Sequence, residues 1–329
     1  MTETEFIALL RPFAGAGARD LRDDAAVLSL SQDGDLVLTH DVIVEGVHFR
    51  EGDAAEDVAW KLVAVNLSDL AAKGATPVGV LVGYPLGDDA WDRAFAAGLG
   101  VALAAFDCTL LGGDTVKVAG PRSLSLTAIG RAGSVVPSRS GAKPGDGLWV
   151  TGVIGLAGLG LDILRRPGEE CGVGSSPGRS LNMRDMFNPS LGRSQPESAL
   201  VASGPGLRRD DAIAAYLSPQ PRLVEGRALA PLVTAMMDVS DGLLIDAARI
   251  AEASGVAIEI ALDAVPAAGE IMAAVTAGDD YELLFTLPAN APCPVAATRI
   301  GVVRAGAGLS LTLDGSAVPL PERLGYLHD

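Results

Sequence analysis

Six short motifs set aspartate at the end of an apolar run or at the start of a helix. They are "LRDDAAVL" (Asp23, Asp24), "LTHDVIVEG" (Thr39, Asp41), "VNLSDLAAKG" (Asp69), "LLGGDTVK" (Asp114), "MMDVSDGL" (Asp238, Asp241) and "AGDDYELLF" (Asp279, Asp280). Strand ends and helix starts converge on the ligand crevice of α/β folds. Taken singly, each motif has a plain explanation: Asp23–Asp24 suits a turn, and Ser240–Asp241 makes a good helix N-terminus. Repetition of one setting argues instead for a shared cleft. Carboxylates gathered in a cleft repel one another unless some protonate or divalent cations hold them together. No paired Cys or His ligands stand nearby, so hard oxygen donors select Mg²⁺, which keeps several waters and bridges carboxylates to phosphates. The expected ligand is therefore a polyphosphate. Gly112–Gly113 ahead of Asp114 would let backbone approach a phosphate, but the chain has neither a GxxxxGK[ST] loop nor a protein-kinase HRD/DFG set.

Charge and composition narrow the partners. Lys plus Arg number 25 against 41 Asp plus Glu, a net −16 that leaves no broad basic surface for nucleic acid or anionic lipid. An anionic ligand then needs metal ions as intermediaries. Cys108, Cys171 and Cys293 lack zinc-site spacing and read as thiols in a reducing compartment. The N-terminus "MTETEFIALLRPF" carries acids where a signal peptide needs bases, so a cytoplasmic location is expected. The longest apolar run, Gly147–Leu161, falls short of the roughly 20 residues of a membrane span and reads as a strand, a Gly-rich turn and a helix start.

The elements that must position these acids follow from periodicity. Thr2 and Glu5 predict a capping box for a helix using Phe6, Leu9, Leu10 and Phe13. In "VAWKLVAVNLSDLAAKGATP", apolar residues cover most of the helical circumference, while Asn66, Asp69 and Lys73 share one stripe with Leu62. By itself Asp69–Lys73 is an i,i+4 surface pair worth about 0.2–0.5 kcal/mol. With the other motifs, Asp69 becomes an expected metal ligand on a buried helix and Lys73 a bystander. Strands are expected at "AAVLSL", "DLVLTHDVIVEGVHF", "PVGVLVGYPL", "CTLLGGDT" and "SLSLTAIGRA", with a second helix from Asp89 to Phe106. Gly, Pro and Ser concentrated in Gly133–Gly147 mark a domain connection. Beyond it, "LWVTG", "AMMDVS", "VAIEIAL", "YELLFTL" and "RIGVV" alternate with a helix that Ser240 would N-cap. Residues 165–209 are aperiodic and read as an insertion. An α/β (α+β) class with two domains, 1–136 and 137–329, is expected.

In order and spacing, "DDAAVL", "THDVIVEGVHF", "AVNLSDLAAKGATP", "LLGGDT", "SRSGAKPGD", "VTG", "MDVSDGL" and "DDYELLFT" resemble the thiamine-monophosphate kinase family of the aminoimidazole ribonucleotide synthetase-like superfamily. The resemblance implies a two-domain fold, with an N-terminal mixed sheet plus helices for ATP binding and dimerisation and a C-terminal α/β domain. It implies Mg²⁺-dependent transfer of the ATP γ-phosphoryl group to thiamine monophosphate, giving thiamine diphosphate and ADP, in a homodimer with ATP near the interface. By resemblance, Asp24, Thr39, Asp41, Asp69, Asp114, Asp238 and Asp241 hold several Mg²⁺ ions; Gly113, Asp114, Arg139 and Ser240 contact ATP; His48, Asp279 and Tyr326 meet thiamine monophosphate. Lys117 and Arg139 would add positive charge. Departures include His40 where the family has a hydroxyl residue and Asp279 in place of Glu. The rivals are a ligase or maturation dehydratase of the same superfamily and a non-catalytic divalent-cation-binding protein. The terminal Leu327–His328–Asp329 lacks the cysteine of the maturation protein.

Overall fold

The computed structural model describes residues 22–23, 25–30, 34–117, 119–166 and 208–327. Asp24, Cys171, the expected capping-box helix and most of the 165–209 segment lie outside the described residues.

The first sheet runs in the order β1 (Ala26–Leu30), β2 (Gly34–Val44), β5 (Ser123–Ala132), β3 (Thr76–Leu86), β4 (Leu110–Lys117). Only β3 and β4 pair in parallel. A parallel pair needs a crossover, and α2 (Asp89–Ala105) supplies it, started by the Asp88 side chain accepting the Trp91 N–H at 2.9 Å. The second sheet runs β12 (Ser316–Val318), β11 (Gly308–Leu313), β8 (Ala257–Ala261), β10 (Ala297–Arg304), β6 (Gly147–Thr151), β9 (Leu283–Leu287), β7 (Ala235–Asp238). The run Gly147–Leu161 is β6, a turn and the start of α3 (Leu156–Arg165), as its glycines implied. No described helix is long and apolar enough to cross a membrane.

Helix α1 (Ala55–Ala72) ties the two sheets together. Apart from Glu56, Asp57 and Asp69 its residues are all buried, as expected of a helix apolar around its whole circumference. The strands opposite show why. Side chains alternate across a strand, and Met236, Leu283, Phe285 and Leu287 join the core that holds α1, whereas Met237 and Leu284 join a second core with α6 (Leu243–Ser254). The second sheet is thus packed between a helix of the N-terminal half and one of its own.

Ser240 does not cap α6. The helix begins after Gly242, and the fully buried Asp246 reaches back from its first turn to accept the N–H groups of Ser240 and Asp241 at 3.1 and 3.2 Å. No side chain caps this helix; Asp246 instead holds the turn that leads into it.

Close approach at α1 depends on a glycine in α5 (Leu223–Leu229). A Cβ at Gly226 would stand 2.0 Å from the Ala71 carbonyl oxygen. Gly226→Ala gains about 1 kcal/mol of helix propensity but forces backbones apart, an overpacking cost of about 1–3 kcal/mol or more. The expected outcome is a lower thermal midpoint; a higher one would contradict this packing.

Candidate active site

A cleft of about 2070 Å³ opens between the two sheets. Ordinary small-molecule sites occupy about 300–1,000 Å³, so this one has room for two substrates. Thr39, Asp41, His48, Asp69, Arg139, Asp238, Ser240, Asp241, Asp279 and Tyr326 all line it. Ten expected site residues, scattered from position 39 to 326, therefore share one cleft.

Polar side chains of α1 grip the segments that carry them. The Asn66 side chain accepts the Asp41 N–H at 3.1 Å and donates to the Leu62 carbonyl at 2.9 Å. Ser68 donates to Asp238 Oδ2 at 2.6 Å across the gap between the sheets. The Thr39 hydroxyl donates to Asp69 Oδ2. One helix thereby fixes β2, the end of β7 and its own carboxylate relative to each other.

Lys73 is no bystander. Its side chain is fully buried, and Nζ contacts Asp23 Oδ1 at 2.6 Å, with the Asp23 side chain only 3% exposed. Asp69 is left to the cleft because Lys73, one turn on, points to the "LRDD" motif. The stripe is a polar seam as expected, but Lys73, expected to be a bystander, is the buried partner of Asp23.

At the opposite wall, Arg249 NH1 donates to both Asp241 Oδ2 and Asp246 Oδ1 at 2.6 Å. Burial pushes the Asp246 carboxyl up to about 7, against the pull of the Arg249 guanidinium. Arg249 lines the cleft beside Arg139, and sequence reasoning missed it. Its only sequence signal was helical spacing, three residues past Asp246. The chain's tail returns here too: the Tyr326 N–H donates to the Asp241 carbonyl at 2.9 Å, while its side chain stays 48% exposed.

At the far end, the His48 Nδ1 accepts the Val44 N–H at 3.1 Å, which leaves the ring proton on Nε2. Asp279 Oδ1 accepts from the Tyr281 hydroxyl at 2.9 Å and Oδ2 from Lys61 at 2.7 Å. His40 is exposed, with Nδ1 2.8 Å from the Thr127 hydroxyl. Asp280 is turned away from this chemistry. Its Oδ1 is buried, Oδ2 accepts the Gly155 N–H at 2.7 Å where α3 starts, and burial pushes its carboxyl well above the usual range.

Gly113 and Asp114 are not brought into the cleft. They lie on β4, an edge strand whose residues are all exposed, and Asp114 borders a separate hollow of about 290 Å³ with Tyr84 and Ser125. Lys117 is on the same exposed strand. The glycines have a local reason as well: φ is 153° and 156°, and a Cβ on Gly113 would stand 2.0 Å from the Val82 carbonyl oxygen of β3.

The donors suit a hard cation, since every candidate is a carboxylate or hydroxyl oxygen. Among the described residues no three His, Cys, Asp or Glu groups form a ready metal-ligand set. That fits an ion such as Mg²⁺, which takes one or two carboxylates and completes its shell with water and substrate phosphate.

Comparison with known proteins follows the same division of the chain. Residues 22–132 match the N-terminal domain model of AIR synthase related proteins, and residues 198–314 match the C-terminal one. The thiamine-monophosphate kinase of Caulobacter vibrioides is 38% identical, with 99% of this chain and 91% of that protein covered. The Escherichia coli K12 enzyme of the same name is 34% identical over 93% and 90%. Among solved structures, AaThiL complexed with AMPPCP and TMP superposes with a TM-score of 0.79 at 28% identity, covering 100% of this chain and 97% of that one. Hydrogenase maturation protein HypE in complex with ATP reaches 0.64 at 19% identity, over 98% and 95%, a likeness of fold alone.

Two substitutions separate the roles of the polar seam. Asp69→Asn should weaken Mn²⁺ binding about tenfold or more, each tenfold being about 1.4 kcal/mol, with little change in thermal midpoint. Lys73→Met, which breaks a buried pair, should destabilise the fold by about 3–5 kcal/mol. Calorimetry and thermal melts of both variants check this; a reversed pattern would restore Asp69 as a structural residue.

Proposed function

This chain belongs to the AIR synthase related family and, within it, to the thiamine-monophosphate kinases, and from that premise we propose how its residues divide the work. The reaction is transfer of the γ-phosphoryl group of ATP to thiamine monophosphate, yielding thiamine diphosphate and ADP. The observation that carries the reading is one cleft lined both by the acidic motifs and by His48 and Asp279.

The acceptor is a phosphate monoester with a second pKa of about 6. Its attacking oxygen is ionised near neutral pH, so no side chain has to remove a proton. The difficulty is to bring two polyanions together in line. Arg139 and Arg249 offer fixed positive charge on the wall that Ser240 shares, the end we assign to ATP. His48, Asp279 and Tyr326 are assigned to thiamine monophosphate. Asp41, Asp69 and Asp238, with Thr39 and with Asp24 outside the described residues, would hold Mg²⁺, and Asp241 stands beside them in its pair with Arg249. Bound Mg²⁺ would neutralise the phosphates and the charge that develops during a largely dissociative transfer. These carboxylates act as ligands and not as acids or bases. The ADP and thiamine diphosphate chemistry belongs to the cytoplasm, where we place the protein.

A homodimer accounts for Asp114. Leu110, Leu111 and Val116 on β4 are each about half exposed, at 50%, 51% and 52%. An apolar, unpaired edge strand invites another chain. Pairing through the first sheet would cover this edge and carry Gly113 and Asp114 of one subunit to the nucleotide of the assembly. Sedimentation should report a dimer for the wild type and a monomer with much reduced turnover for Leu111→Glu; a fully active monomer would refute this arrangement.

Purified protein with Mg²⁺, ATP and thiamine monophosphate should form thiamine diphosphate and ADP in equal amounts. ADP formed with another acceptor and none with this one would point to a ligase or dehydratase of the same fold, and metal binding without turnover would point to a non-catalytic protein.

A further inference from the structure

Lys61 is a lysine buried on a largely apolar helix. It lies on α1 between Trp60 and Leu62, eight residues before Asp69, and is only 2% exposed. A buried ammonium persists only where partners replace its water. Here they come from three separate segments. Nζ donates to Asp279 Oδ2 at 2.7 Å and to the His48 carbonyl at 3.0 Å, and it stands 4.1 Å from the centre of the Tyr216 ring of α4 (Arg209–Leu217).

The turn that presents Asp279 is itself held in an unusual shape. Asp279 and Tyr281 both have positive φ, 68° and 52°, a region that residues other than glycine rarely adopt. Two main-chain bonds from β7's exit secure it, Asp279 N–H to the Ser240 carbonyl and Tyr281 N–H to the Val239 carbonyl, each 2.8 Å. The backbone is thereby fixed, and the carboxylate plane is fixed by Lys61 on one oxygen and the Tyr281 hydroxyl on the other.

We propose that Lys61 is a positioning residue for the acceptor subsite: from inside α1 it locks the Asp279 carboxylate and the His48 main chain to each other and cancels the charge of Asp279. The inference rests on the assignment of His48 and Asp279 to thiamine monophosphate. Its physical content is twofold. Without Lys61 the carboxylate can turn out of the orientation that the ligand meets, and one more net negative charge faces a phosphate that is already anionic. The network meets the Ser240 segment only through the main chain, by the Asp279 N–H to the Ser240 carbonyl, and none of the side-chain bonds of Lys61 goes to Arg139, Ser240 or Arg249, so the loss of its charge should fall on the acceptor rather than on ATP.

Steady-state kinetics of the full-length protein test this with wild type, Lys61→Met, Asp279→Asn and the charge-balanced double variant. Lys61→Met should raise KM for thiamine monophosphate about tenfold or more while KM for ATP changes by less than about threefold. Where the single variant does not fold, the double variant is compared with Asp279→Asn, and a further rise of about threefold or more in the thiamine monophosphate KM alone supports positioning. Equal rises for both substrates, or no rise with Lys61 removed, would overturn it. Failure of the underlying assignment looks different: wild-type turnover with an Asp279→Asn variant whose KM for thiamine monophosphate is unchanged.

Discussion

The structure depends on one constraint: α1 is wedged between two sheets and buries nearly its whole circumference, so the polar side chains it buries need hydrogen-bonding partners. Those partners are the functional segments. Lys61 reaches the Asp279 turn and the His48 main chain, Asn66 reaches Asp41, Ser68 reaches Asp238, and Lys73 reaches Asp23. Buried ion pairs and hydrogen bonds of this kind add little net stability compared with well-packed apolar residues. What they contribute is position. A helix is rigid over its length, so fixing several segments to its side chains fixes those segments to one another at about 1.5 Å of rise per residue.

The same constraint explains how the cleft can be so acidic. Some carboxylates face built-in cations: Asp241 and Asp246 share the single charge of Arg249, and Asp279 pairs with Lys61. Asp69 and Asp238 are instead held by the hydroxyls of Thr39 and Ser68, which orient a carboxylate without cancelling its charge.

Much of this was legible in the residues alone. Apolar periodicity located the strands and α1, because both sheets and helices here obey simple repeats, and the aspartates stood out by recurring at strand ends. The partners of those aspartates were not legible. Lys73 lies four residues from Asp69, and only the tertiary packing turns it toward Asp23. Lys61 gave the same signal as Asp69, a charge in an apolar helix, but its ligand is 218 residues away. Asp246 reaches back from its helix to hold the Ser240–Asp241 turn, which no capping rule based on the preceding residue anticipates. Asp114 shared the motif pattern of the others, yet β4 lies on a sheet edge, and edge position is a property of topology that spacing does not carry.

The central claim is that the carboxylates arranged around α1 form one metal and phosphate site. Crystals grown with Mn²⁺ and a non-hydrolysable ATP analogue would report it directly through anomalous scattering. The account predicts manganese peaks among Asp41, Asp69 and Asp238 with the nucleotide phosphates against them. Nucleotide bound with no manganese at these three side chains would contradict it.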